Sequence, residues 1–182
     1  MRMRATSSKR VEVYDWRSDP ELIRFNKRHQ ELTAASVPGD TGGYYYERLA
    51  ERALLKKAVL LDVEANDTPL AVPVGKWRKG GDIEFLELKE AIKAARLLRG
   101  RKGFPNVRVV INYYEDLAED GIDLQWGDPL PLCGSGLMFG LHYGYSDDAI
   151  AQAMLMHGGG KVSRQQLLKT IRSARARGTL SD

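Results

Sequence analysis

The sequence predicts an α+β fold: a mixed or antiparallel sheet with covering helices, followed by a C-terminal pair of helices. Two observations predict it. The apolar period switches from helical to strand-like near residue 58, and the middle then reads β-β-β-α-β-β, an order that suits such a sheet. Residues 146–182 return to helical spacing in two segments separated by Gly158, Gly159 and Gly160.

The elements follow in order. Ser18-Asp19-Pro20-Glu21 is a helix start, with a capping Ser and Pro in the first turn, and Leu22, Ile23, Phe25, His29 and Leu32 mark its apolar face. Residues 37–43 are a loop, and Tyr46, Leu49, Ala50, Ala53 and Leu54 suggest a second helix. Residues 58–64 and 70–77 read as strands around Asn66-Asp67-Thr68-Pro69, with Pro73 marking an edge or a bulge. A third strand is expected over 82–86. A helix follows over 88–99, burying Leu88, Ile92, Ala95 and Leu98. Strands over 107–113 and 122–126 flank an acidic loop, and 128–144 reads as a Gly- and Pro-rich connector. Three segments result: a basic arm over 1–10, an α+β domain over 11–145, and the helical pair over 146–182.

Composition narrows the class. The hydrophobic content of 43% is ordinary for a globular chain, so a real core is expected. No apolar run approaches the roughly 18 residues of a membrane span. Met1-Arg2-Met3-Arg4 lacks the apolar stretch of a secretory signal, and a single cysteine, Cys133, suits a reducing cytoplasm. The net charge of +4 is unevenly spread: residues 1–10 carry +4, residues 161–182 carry +5, and the middle is left with −5. Basic ends on an acidic body suggest contact with a polyanion, although solvated surface charge explains them too.

The last two helices are the most informative part. Ser146 starts the first, with Asp147 and Asp148 at its positive end and Ile150, Ala151, Met154 and Leu155 as its apolar stripe. Ser163 and Gln166 form a capping box for the second, whose buried face is Leu167, Ile171 and Ala174. Arg164, Gln165 and Gln166 then stand where a recognition helix meets base edges, and Arg and Gln are the residues that bond guanine and adenine bidentately. Lys161, Lys169, Arg172 and Arg175 suit phosphates. Val162-Ser163-Arg164, Leu167, Ile171, Ala174, Gly178 and Leu180, with Ile150-Ala151 before them, resemble the helix-turn-helix of bacterial winged-helix regulators. The resemblance covers about residues 146–180 and implies a DNA-reading second helix. The Gly-rich turn is longer than the usual three or four residues, and no β-wing follows. An amphipathic hairpin packed on the body, with solvated Arg and Lys, explains the same pattern.

A second basic cluster surrounds two turns. Lys76, Arg78 and Lys79 precede the third strand, while Arg99, Arg101 and Lys102 follow the middle helix. Strand and helix run in opposite directions, so both turns belong at one end of the domain. They are phosphate candidates, and Trp77 is a base-stacking candidate. Ordinary solubilising charge is the competing reading. Leu70-Ala71-Val72-Pro73-Val74-Gly75, Gly103-Phe104-Pro105-Asn106, Trp126-Gly127-Asp128 and Tyr143-Gly144-Tyr145-Ser146 resemble an uncharacterised group of small actinobacterial proteins, which implies a shared domain and supplies no activity to carry over.

Nothing reads as an enzyme site. His29, His142 and His157 lack zinc spacing, and one cysteine cannot supply the usual thiolates, so no metal or cofactor is expected. Cys133 and His142 lack an orienting third group. Gly134-Ser135-Gly136 lacks the Lys-Ser/Thr ending of a P-loop, and the acids from Glu115 to Asp128 match no calcium loop. At least one of Tyr44, Tyr45 and Tyr46 should face the core, because three consecutive helical side chains cannot share a face. The expected function is DNA binding by a regulator or by an accessory protein of a phage or mobile element. A homodimer is the expected form, as for helix-turn-helix proteins that read two half-sites. The alternative is a protein-binding adaptor or inhibitor whose basic helix meets an acidic partner.

Overall fold

Alternation over residues 80–85 and 121–127 builds one sheet, and everything else is placed relative to it. The computed structural model describes residues 48–66, 69–112, 121–130, 135–157 and 162–178. Among them a 3-10 helix at Arg52–Lys57 leads into β1 (Val59–Leu60), β2 (Leu70–Ala71), β3 (Gly80–Phe85) and α1 (Leu88–Leu98). β4 (Arg108–Asn112) and β5 (Gly121–Gly127) follow, then α2 (Gly136–His142), α3 (Asp147–His157) and α4 (Arg164–Arg177). The arrangement is α+β, with antiparallel pairing throughout the described strands.

The strand order in the larger sheet is β3-β5-β4. β5 runs antiparallel to both neighbours, so β3 and β4 are parallel to each other and α1 makes the crossover between them. Ile83 and Val109 both sit opposite Leu124. Ile83, Phe85, Leu124 and Trp126 face α1, which meets them with Ala91, Ala94, Ala95 and Leu98. Leu88 and Ile92, expected inside, remain 41% and 38% exposed. The reason is volume: Trp126 and Phe85 already fill the space over the sheet, so the helix turns its small residues toward them.

The first two expected strands shorten to the pairs Val59↔Ala71 and Leu60↔Leu70. Beyond Ala71 the backbone serves other partners. The Val72 carbonyl accepts the buried Trp126 indole N–H at 2.9 Å, and the Val74 N–H donates to the Gly103 carbonyl at 2.8 Å. Pro73 between them has no N–H with which to continue a ladder.

The expected connector over 128–144 contains α2. Leu141 of α2, Ile150 and Ala151 of α3, and Leu167, Ile171 and Ala174 of α4 form one apolar cluster, so the three helices pack as a unit. That unit is stitched to the sheet at a seam. The Lys79 N–H donates to the His142 carbonyl at 2.8 Å, and the Asp128 N–H donates to the Lys79 carbonyl at 3.0 Å. On the other side, the Ala50 and Ser146 N–H groups donate to Gly144 and Arg48 carbonyls, each at 2.9 Å.

Gly127 carries the tightest demand at the seam. Its φ is +77°, and a Cβ there would lie 2.2 Å from the Lys79 carbonyl oxygen. Gly100 has a similar φ of +81° but open space around it. Gly127→Ala is therefore expected to destabilise the protein by more than ~2 kcal/mol, against about 1 kcal/mol for Gly100→Ala. Urea denaturation of the two variants checks the contrast.

Candidate functional site

The sequence of α4 fixes both of its ends. Ser163 Oγ accepts the Gln166 N–H at 3.3 Å, and Gln166 Oε1 accepts the Ser163 N–H at 3.0 Å, completing the expected capping box. Gly178 closes the helix in the left-handed region at φ 66°. With Leu167, Ile171 and Ala174 buried, Arg164, Gln165, Lys169 and Arg172 are exposed. Gln166 is exposed as well, but its side-chain oxygen is committed to the cap.

Asp147 and Asp148, in the first turn of α3, reach across to these arginines. Arg164 Nη2 lies 2.6 Å from Asp148, with both side chains more than half exposed. Arg172 Nε lies 3.6 Å from Asp147 and is 70% exposed. Arg175 differs: its side chain is only 12% exposed, its Nε donates to Asp147 at 2.9 Å, and its Nη2 donates to the Tyr145 carbonyl at 2.7 Å. Exposed pairs contribute about 0–1 kcal/mol, so Arg164 and Arg172 can exchange a carboxylate for another anion at little cost. Arg175 is a fixed anchor between α4 and the turn before α3.

The end of α4 meets the loop before β3. Trp77 has Lys76 Nζ 4.7 Å and Arg175 Cζ 4.8 Å from its ring centroid, and its backbone N–H donates to Glu51 Oε1 at 3.0 Å. Lys76, Trp77, Lys79, Leu141, Ala174 and Arg175 line a small cleft of about 70 Å³ there. Sequence reasoning treated the 76–79 loop and α4 separately, and no local pattern links segments so far apart. Arg78 leaves the exposed group: it is buried, its Nη1 donates to the Tyr143 carbonyl at 3.0 Å, and its guanidinium lies 5.6 Å from the Tyr143 ring centroid. Arg99, Arg101 and Lys102 are exposed. The Val74–Gly103 hydrogen bond, with that of the Gly127 N–H to Pro105, places their turn at the same end of the sheet as the 76–79 loop, as the topology requires.

His142 and Tyr143 occupy the seam. His142 is 1% exposed, and its Nε2 has no hydrogen-bond partner among the described residues. Gly80 makes room for it, since a Cβ at that position would lie 2.7 Å from Nε2. Burial lowers the His142 pKa, the positive charge of Arg78 adds to the effect, Asp128 opposes it and Arg108 reinforces it. The Tyr143 hydroxyl donates to Asp82 Oδ1 at 2.6 Å, and burial with that carboxylate beside it holds the phenol protonated. A histidine so enclosed is not placed to touch a substrate.

Ser135 is exposed just before α2, and Asp123 accepts from Asn112 Nδ2 at 2.7 Å. Cys133, Lys161, His29, Tyr44–Tyr46, the basic arm over 1–10 and the acids from Glu115 to Asp120 lie outside the described residues. Among the described residues no group of three His, Cys, Asp or Glu side chains could hold a metal ion, and no helix is long and apolar enough to cross a membrane.

Residues 41–176 match the model of a family of unknown function, DUF6302. The match runs through the sheet and the helical pair together, and so gives residues 146–180 no identity of their own. Neither a curated protein nor a solved structure matches the chain.

The buried imidazole sets a pH dependence. Its folded pKa lies below the unfolded value near 6.5, so the unfolded chain binds more protons as pH falls through that value. Stability is fully present above about pH 6.5 and is lost on acidification, by at most ~1.4 kcal/mol per pH unit, until the folded pKa is passed. Urea denaturation between pH 7.5 and 5 is expected to show this loss, and His142→Gln to flatten it.

Proposed function

We propose that this chain, which belongs to DUF6302, binds double-stranded DNA with α4 as the contacting helix. The observation that carries the reading is the three-helix unit. α2, α3 and α4 share one apolar cluster, with α4 last and its outer face left to Arg164, Gln165, Lys169 and Arg172. We read this unit by analogy with a helix-turn-helix, which presents its second helix to a major groove. α4 contains five basic residues and no acid. Asp147 and Asp148 offset part of this charge, but through pairs weak enough for phosphates to displace at Arg164 and Arg172.

The roles follow from position. Arg164 and Gln165, in the first turn of α4, are the base-reading candidates, whereas Lys169 and Arg172 lie one and two turns further on and suit the backbone. Arg175 supports the helix from beneath. Lys76 and Lys79 extend the basic surface past the end of α4, and the turn of Arg99, Arg101 and Lys102 lies at that same end of the sheet.

Fluorescence anisotropy with random duplex DNA across a salt series tests the reading. Binding is expected to weaken steeply with salt, and Lys169→Gln and Arg172→Gln each to reduce the salt slope by about one. Arg164→Ala is expected to cost about 1–3 kcal/mol on a selected sequence. No binding at low salt would remove the proposal and put an acidic protein partner in its place.

A further inference from the structure

We infer that the cleft between the 76–79 loop and the C-terminal end of α4 is a binding site for a phosphate group. The site is separate from the outer face of α4 and stands whether or not that face reads DNA. Three cations line it: Lys76, Lys79 and Arg175. Among the described residues neither lysine has a carboxylate within ion-pair distance. Among the described residues Arg175 uses two of its five N–H donors, on Asp147 and the Tyr145 carbonyl, and three remain.

Trp77 brings the charges together. Lys76 and Arg175 both lie against its ring, so their heads are closer than about 10 Å, the Debye length at 0.1 M salt. Like charges held that close repel each other, and an anion between them relieves the repulsion. The ends of α2 and α4 point the other way, because a helix C-terminus carries about −0.5 of an elementary charge. Much of that is already compensated: Gly178 caps α4, and the Lys79 N–H takes the His142 carbonyl. The balance stays positive because the three cations face two carboxylates, Asp147 on Arg175 and Glu51 on the Trp77 backbone N–H.

A cleft of about 70 Å³ has room for a tetrahedral oxyanion, and its charge favours one. The recognised chemistry is a phosphate mono- or diester, carried either by a nucleic-acid backbone or by a small phosphorylated molecule.

The test is a titration of the ¹⁵N-labelled full chain with inorganic phosphate at constant ionic strength, followed at the tryptophan indole N–H resonances. The chain has three tryptophans, so a Trp77→Phe variant assigns the signal. The Trp77 indole is expected to shift saturably while that of Trp126, bonded to the Val72 carbonyl, stays in place. Lys76→Gln/Lys79→Gln should abolish the shift, and Lys76→Arg/Lys79→Arg should retain it. In a second arm, the same Gln variant is titrated with duplex DNA. A saturable phosphate shift without DNA binding supports the site with a small phosphorylated ligand, and sinks only the DNA reading. No phosphate saturation, but a DNA salt slope lowered by about two in the Gln variant, supports the site with a backbone as its source. No saturable shift together with unchanged DNA affinity in the Gln variant overturns the inference, whatever α4 itself binds.

Discussion

The seam between the α2 turn and the start of β3 is the constraint on which the rest of the structure depends. Two short backbone bonds, Lys79 to His142 and Asp128 to Lys79, tie the helical unit to the β3–β5 pair. They form only if the main chains approach more closely than side chains allow. Gly127 meets the Lys79 carbonyl, and Gly144 meets the Arg78 backbone at a φ of +73°. Glycine at these positions is therefore a packing requirement, and the buried Arg78 and His142 with the half-buried Tyr143 fill the space around it.

The seam also decides which charges face outward. Because the 76–79 loop is pinned from below by the Arg78 guanidinium, Lys76 and Lys79 on either side of it are left at the surface. Because Arg175 is held by Asp147 and the Tyr145 carbonyl, the end of α4 lies beside that loop. Two basic segments about a hundred residues apart in sequence thus meet at one cleft. Asp147 and Asp148 pair with Arg164 and Arg172 through exposed contacts.

Local signals in the sequence were sufficient wherever local physics decides. Ser163 and Gln166 announced the α4 cap, Leu167, Ile171 and Ala174 its buried stripe, and the alternation around Leu124 a strand. The misreadings have tertiary causes. Gly136 and Gly140 disguise α2, a helix stabilised by packing rather than by propensity. The α1 face turned on the bulk of Trp126 across from it, and bulk on another element has no signature in the helix itself. Arg78 and Lys79 are adjacent basic residues in the sequence, yet one is buried and the other exposed. The meeting of Trp77 and Arg175 was illegible, since a contact between a loop and a distant helix leaves no periodic trace.

Native-state hydrogen exchange at the Lys79 amide tests the central claim most directly. If the helical unit is locked to the sheet through this seam, Lys79 is protected to the same free energy as Leu124 in the middle of β5, because both open only when the domain unfolds. Exchange at Lys79 several orders of magnitude faster than at Leu124 would contradict the account. It would show the helices detaching while the sheet stays folded, and the basic surface would then not be a single rigid platform.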